Sequence, residues 1–313
     1  MKMTVSETAG AILSRDRFLI LTHRNPDGDT VGSASAFCRG LRALGKTAYL
    51  YRNSQITKTY LPFAEPLFAP EEYEYNTVVS VDVADVRMYP QGWSETPVFC
   101  IDHHGSNPGF AENTLLMADK ASCGEVVLEL LKAMNAPISK DIANALYAAV
   151  STDCGAFQYR NTKAETLRAA AELIELGADH ADLNKKLFRT FSRGRLTLEG
   201  MVYTTMRQYR EGTLNVAAIS LDMLEKAGAR EEDMDDLASL AGKLAGVEAS
   251  VTIREMPGGM AKASVRTNGN PDASKVCARF GGGGHVMASG CSMECTLEEA
   301  EERIVSAMLE EWQ

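Results

Sequence analysis

Short unbroken apolar runs alternate with stretches of helical periodicity along the first half of the chain. Phe18-Leu19-Ile20-Leu21 reads as a buried strand. After the polar turn His23 to Asp29, apolar residues recur at Val31, Ala34, Phe37, Leu41 and Leu44, a helical spacing that Gly45 ends. Ala48 to Tyr51, Val78 to Val81 and Val98 to Ile101 give three further strands, and helical patterns cover Gly124 to Met134 and Ile142 to Val150, with Pro137 between them. Alternation of this kind predicts an α/β domain with a mainly parallel sheet flanked by helices.

From Lys163 to about Tyr209 the pattern is helical throughout, with Leu167, Ala170, Leu173 and Ile174 followed by Leu183, Leu187 and Phe188, then Leu198, Met201 and Val202. Beyond it the character changes. Leu214 to Ile219 reads as a strand, Glu231 to Leu244 as an acidic-fronted helix, and Ala249 to Arg254 with Ala261 to Thr267 as a hairpin around Pro257-Gly258-Gly259. A short helix from Asp272 to Phe280 leads into Gly281-Gly282-Gly283-Gly284-His285, and a strand through Ala288 to Cys291 and a helix from Leu297 to Met308 follow. The pattern therefore predicts an α/β domain over residues 1–190, a helical connection over 191–210 running in a long helix, and a smaller α+β domain over 211–313.

Composition narrows the class. The 313 residues are 45% hydrophobic and 24% charged, as in an ordinary globular protein. No apolar run approaches the roughly 20 residues that span a bilayer, and the N-terminus lacks the apolar core of a signal peptide. Seven scattered cysteines with no Cys-x-x-Cys pair do not form a disulfide framework, so a cytoplasmic setting is expected. The net charge of −10 argues against a grip on long duplex nucleic acid, which uses a broad basic surface, while leaving room for a small phosphate substrate at a site whose cations invert the local field.

The candidate chemistry gathers where strands end. Asp102-His103-His104 follows the run Val98 to Ile101, His23 follows Phe18 to Leu21, and Asp82 follows Val78 to Val81. Isolated ionisable groups there cost free energy unless something binds them. In open α/β sheets the binding crevice lies beyond the carboxyl ends of the strands, so three strands can deliver these groups to one edge. Asp27 and Asp29 would diverge in a regular helix, but Pro26 and Gly28 favour a turn in which both face one site. Together with Asp153 these residues offer imidazole nitrogens and carboxylate oxygens suited to a pair of divalent cations. No Gly-Lys-Ser/Thr follows the glycine run, which excludes a nucleotide P-loop; its backbone N–H groups can hold an anion, with His285 as a donor, or form a plain turn. Cys277, His285, Cys291 and Cys295 match no familiar zinc spacing. Phe157, Tyr159 and the arginines of 189–195 either stack on bases or pack.

The set HRNPDGD, Asp82, DHH at 102–104 and Thr152-Asp153 resembles the four motifs of the DHH phosphoesterases, and the GGGGH run with Val265-Arg266 upstream resembles the DHH-associated C-terminal domain. Within that family the compact two-domain form looks like the NrnA-type branch, whose members degrade short oligoribonucleotides and dephosphorylate 3′-phosphoadenosine 5′-phosphate. The resemblance implies two divalent metal ions, Mn²⁺ foremost, held by His23, Asp27, Asp29, Asp82, His103 and Asp153, with Asp82 bridging. It implies Asp102 as the acid that orients the histidine, and His104, Arg266, Gly282, Gly283, Gly284 and His285 as substrate contacts. Catalysis would fall to Asp82, Asp102, His103 and His104, through a water activated by both cations. On that reading the four carboxylate charges of Asp27, Asp29, Asp82 and Asp153 would balance two divalent ions. Expected partners are short RNA or a nucleotide bisphosphate, no membrane, and a homodimer as an allowed assembly. Relatives that cleave cyclic di-AMP or linear dinucleotides share these motifs; an inorganic pyrophosphatase and a non-catalytic binding module are the other readings.

Overall fold

The computed structural model describes residues 1–234 and 237–312, and in it the apolar runs of the N-terminal half become a parallel sheet. Strands β1 (Phe18–Leu21), β2 (Ala48–Leu50), β3 (Thr77–Val81), β4 (Phe99–Asp102) and β5 (Asn113–Leu116) lie in the order β2-β1-β3-β4-β5, every neighbour parallel. Sequence periodicity missed β5, whose Asn113 and Thr114 interrupt any apolar run. Helices α1 (Val5–Leu13), α2 (Gly28–Ala43), α3 (Leu61–Ala64), α4 (Cys123–Ala133), α5 (Lys140–Asp153), α6 (Ala164–Glu175) and α7 (His180–Phe188) complete the unit of residues 1–190. The runs of β1 and β3 are buried at every position, so one continuous core of Phe18, Ile20, Val79, Ile101, Phe37, Leu130 and Leu146 joins sheet to helices.

The strand order fixes where a ligand can sit. Chain direction along the sheet reverses between β1 and β3, and at such a switch point the connecting loops leave in opposite directions and open a crevice. His23 follows β1 and Asp82 follows β3, one on each side of it.

Residues 191–313 form a second unit. Helix α8 (Arg193–Thr205) starts after a short loop from α7 and buries Leu198 and Val202 in this unit's core, so the stretch expected to be a long connecting helix is a structural part of the C-terminal unit. Strands β6 (Arg207–Tyr209), β7 (Leu214–Ile219), β8 (Ala249–Met256), β9 (Met260–Thr267), β10 (Gly283–His285) and β11 (Ala288–Glu294) make a mixed sheet in the order β10-β11-β9-β8-β7-β6, in which only β7 and β8 run parallel. Helices α9 (Leu221–Ala227), α10 (Ala273–Ala278) and α11 (Leu297–Glu311) accompany it. Alternation along β7 sends Leu214 and Val216 into a core with Val276, Ile304 and Met308, and Ala217 and Ile219 into a second one with Leu198 and Leu240. The expected helix over 231–244 is instead two 3₁₀ turns, Glu231–Met234 and Leu237–Lys243; residues 235–236 lie outside the described residues. Among the described residues no helix is long and apolar enough to cross a membrane.

Helix α2 packs directly on α5, and Gly32 makes the approach possible. A methyl group there would collide with the Ala145 carbonyl and stand 3.0 Å from the Ala149 side chain. On an exposed helix face Gly→Ala gains about 1 kcal/mol. Here overpacking reverses the sign, and Gly32→Ala is expected to lower stability by about 1–3 kcal/mol, measured as a fall in the urea midpoint at unchanged slope.

Candidate metal centre

Eight polar residues converge at the carboxyl edge of the parallel sheet. Asp102 is the last residue of β4, with His103 and His104 directly after it, and Asp153 is the last residue of α5. Asp82 sits past β3 with a positive φ of 60°, a conformation rarely taken by a residue with a side chain and found mostly at functional positions. Asp27 does not lie in an open turn. It caps α2, with its Oδ1 accepting from the N–H groups of Asp29 (3.0 Å) and Thr30 (3.1 Å), and Asp29 is already in the first helical turn. Gly28 lets this helix start abut α5: any side chain there would strike Thr152, next to Asp153.

Three groups of side chains each place one donor atom apiece within 4.8 Å of the others: His23, Asp27 and Asp82; Asp29, His103 and Asp153; Asp82, His103 and His104. The Nε2 of His23 is 3.6 Å from Asp27 and 3.7 Å from Asp82. The Nε2 of His103 is 3.5 Å from Asp82, 3.7 Å from Asp29 and 3.9 Å from Asp153. These separations are too long for hydrogen bonds. They are those of ligands around a shared ion, since metal–ligand bonds of about 2.0–2.2 Å leave neighbouring ligands roughly 3–4 Å apart. The buried Asp82 Oδ1 has no hydrogen-bond partner, which a cation would supply.

The imidazoles are oriented by their other nitrogen. His23 Nδ1 lies 2.7 Å from the Arg24 carbonyl and His103 Nδ1 lies 3.3 Å from that of Lys120. Each Nδ1 is thus placed to donate to a carbonyl, which directs each Nε2 at the carboxylates as the nitrogen available to a cation. Asp102 holds a different ring from the one expected. Its Oδ1 is 2.8 Å from His104 Nδ1 and also accepts the N–H groups of His103 and His104, while His103's ring rests on a backbone carbonyl.

Electrostatics point the same way. Burial, then the charges of Asp29 and Asp27, push the Asp82 carboxyl well above its ordinary range; burial, then Asp153 and Asp27, do the same to Asp29. Asp153 is raised to about 7 by burial and by Asp27. Burial opposes charge on His104, but its bond to Asp102 outweighs this and raises it. Asp27 runs the other way: burial opposes its charge, but His23 and the N–H groups of Thr30 and Asp29 outweigh this and lower it. Resistance to ionisation is therefore concentrated on Asp29, Asp82 and Asp153, where added positive charge would favour the charged form.

Sequence reasoning missed the residues that hold the ligands in place. Buried Asn53 donates to Thr22 Oγ1 (3.1 Å) and to the His23 carbonyl (3.0 Å). Asn107 donates to Asp102 Oδ2 at 2.6 Å, and Thr30 ties the His23 N–H to the Val81 carbonyl. Asn53 and Thr30 act through the backbone or on partners far along the chain, and Asn107 reaches the Asp102 side chain across five residues, a spacing that signals nothing by itself. Asn25, in the loop between His23 and Asp27, has a positive φ of 51° and accepts from the Gln55 side chain at 2.8 Å. Of the residues left open, Phe157 packs edge-on against Tyr147, Tyr159 is half-exposed, and Arg195 is buried on Glu199.

The remaining expected site residues belong to the second unit. Arg266 is on β9, with its guanidinium donating to the Val265 carbonyl at 3.0 Å. Gly283, Gly284 and His285 form the edge strand β10, exposed along its length, and Gly282 precedes it. Cys277 and Cys291 are buried with their thiols in contact, and neither belongs to a group able to share an ion among the described residues.

Fold and sequence together define the class. Residues 17–150 match the DHH family, N-terminal domain, and residues 213–313 match the DHHA1 domain. The chain belongs to the DHH family, and it is a hydrolase of phosphate esters whose described residues bring together groups able to hold a metal ion. It is 35% identical over 296 residues to the bifunctional oligoribonuclease and PAP phosphatase NrnA of Thermus thermophilus, covering 93% of this chain and 89% of that one. The solved structure of an exopolyphosphatase-related protein from Bacteroides fragilis superposes with a TM-score of 0.88 at 24% identity, covering 98% and 96% of the two chains. A crystal structure of the exonuclease RecJ bound to manganese has the same fold at a TM-score of 0.55 and 16% identity, covering 97% and 94%.

The raised acids fix the sign of a pH effect. Asp29, Asp82 and Asp153 bind protons more tightly when folded than when unfolded, so the metal-free protein loses stability as pH rises from about 4 through about 7. Thermal melts in chelator are expected to fall between pH 5.5 and 8. Asp82→Asn, which removes one buried charge and tolerates the positive φ, should flatten that fall and raise the metal-free melting temperature. It should also abolish the stabilisation that added divalent cation gives the wild type.

Proposed function

We propose that this protein hydrolyses short oligoribonucleotides to mononucleotides and dephosphorylates 3′-phosphoadenosine 5′-phosphate with the help of two divalent cations, Mn²⁺ foremost. The observation that carries this reading is the run of three donor groups in which Asp82 joins His23 and Asp27 to His103, and His103 joins Asp82 to Asp29 and Asp153. The likeness to an oligoribonuclease and PAP phosphatase over nearly the whole chain supports the substrate class. His23 and Asp27 would hold one cation, Asp29, His103 and Asp153 the other, and Asp82 both. Bound there, the cations would lower the pKa of a water nucleophile and neutralise phosphoryl oxygens.

The protein's own groups do the rest. Four carboxylates match four positive charges, so the loaded site is neutral before the phosphate arrives and the substrate's charge is not repelled. Asp102 fixes the His104 ring through Nδ1 and favours its charged form, which leaves the opposite nitrogen as a donor to a phosphate oxygen. Asn107 in turn fixes Asp102, and both act by positioning. On the second unit, Arg266, the exposed backbone at Gly283 and Gly284, and His285 would supply donors for a phosphate, whereas the Gly282 N–H is already bonded to the Cys277 carbonyl at 2.9 Å.

A turnover panel with Mn²⁺ tests the substrate class. A dinucleotide and a five-residue RNA should yield mononucleotides, and the bisphosphate should release phosphate, all faster than cyclic di-AMP or pyrophosphate turns over. Hydrolysis confined to cyclic di-AMP or to pyrophosphate would contradict the proposal. Arg266→Ala and His285→Ala should each raise KM about 10- to 100-fold, as expected for losing a charged hydrogen bond to phosphate, with Mn²⁺ affinity unchanged by calorimetry.

A further inference from the structure

The three side chains of the group Asp29, His103 and Asp153 come from three distant parts of the chain, yet all are fastened to one five-residue turn. The Lys120 carbonyl accepts from His103 Nδ1. The Cys123 N–H donates to Asp29 Oδ2 at 2.7 Å and the Gly124 N–H to Asp29 Oδ1 at 3.0 Å. These amides open helix α4, whose positive end favours the carboxylate. The turn itself is braced by the Glu125 carboxylate on the Ala121 N–H and by the Ser122 cap on Glu125. Asp153 has no such direct attachment, and its link is Asn161. The Asn161 carboxamide donates to the Ala121 carbonyl at 3.1 Å, to the Asp153 carbonyl at 3.1 Å and to Asp153 Oδ2 at 3.5 Å.

The link spans a strained loop. Directly after Asp153 and Cys154, residues Gly155, Ala156 and Phe157 take positive φ values of 53°, 54° and 66°. Consecutive left-handed residues with side chains persist only where the surroundings enforce them. Asn161 clasps the far end of this loop to its beginning and to the turn, which fixes the direction in which Asp153 leaves α5.

We propose that Asn161 is a positioning residue, a latch that sets Asp153 against the turn of residues 120–124 and thereby shapes the Asp29–His103–Asp153 cation position without touching the His23–Asp27 position. The inference rests on the two-cation reading above. Groups that orient metal ligands typically change metal affinity about 10- to 100-fold when removed, and the effect here is confined to one of two positions.

Calorimetric titration of chelator-treated protein with Mn²⁺ tests it, using wild type, Asn161→Ala and Asn161→Leu, the last of which fills the space without a donor. Wild type should take up two ions. Both variants should keep one binding event at wild-type affinity and weaken the other about 10- to 100-fold, while melting temperatures in chelator stay close to wild type and kcat falls more than KM on a short RNA. Two unchanged binding events would overturn the latch and leave the two-cation reading standing. Equal weakening of both events, or loss of folding in both variants without metal, would overturn it too by making Asn161 a general structural residue. A single Mn²⁺ in the wild type would remove the two-cation reading itself.

Discussion

Four carboxylates and two imidazoles converge at one edge of the sheet, where among the described residues no ion pair to a lysine or arginine neutralises Asp29, Asp82 or Asp153, and this constraint governs the structure around them. Asp82 is the extreme case, buried, with one oxygen unpartnered and its neighbours' charges against it. An arrangement of that kind is unfavourable in an apo protein and favourable once positive charge arrives, so the fold carries a cost that only a bound cation offsets. The neighbouring backbone lessens the cost in advance: the start of α2 faces Asp27 and the start of α4 faces Asp29, each with free N–H groups.

The sheet makes such a concentration possible. Its chain reversal between β1 and β3 opens a crevice at one edge, and the strands on either side deliver His23 and Asp82 to it at fixed spacing. Around this frame sit polar residues with no chemistry of their own. Asn53 holds the His23 backbone, Asn107 holds Asp102, and Asn161 holds Asp153. Side chains at strand ends and helix termini are rigid, and their supports keep them so, which is what a preorganised ion site demands.

The convergence was legible in part: His23, Asp82 and Asp102 follow largely apolar strand runs and His103-His104 sets two imidazoles in succession, none of which suits a core. Asp27, Asp29 and Asp153, by contrast, look like ordinary turn or loop acids and stand out only through the resemblance to the DHH motifs. The parallel sheet was legible for the same reason, through uninterrupted runs such as Phe18 to Leu21. What stayed hidden depends on distant partners. β5 is a strand because β4 pairs with it, despite Asn113 and Thr114, and Asn53, Asn107 and Asn161 look like ordinary loop asparagines until their acceptors, up to about 40 residues away, are in view. Pro26 and Gly28 argue for a turn at Asp27 and Asp29, whereas the carboxylate of Asp27 is itself the cap that starts the helix. The run over 231–244 has helical composition but folds as 3₁₀ turns, with Leu237 and Leu240 drawn into the second unit's core.

The most direct test of this account is crystallographic: the positions of Mn²⁺ by anomalous diffraction from crystals grown with the ion. The account predicts two peaks about 3.5–4 Å apart, one against His23 and Asp27, the other against Asp29, His103 and Asp153, with Asp82 in contact with both. A single peak, or a second one away from Asp82, would contradict it.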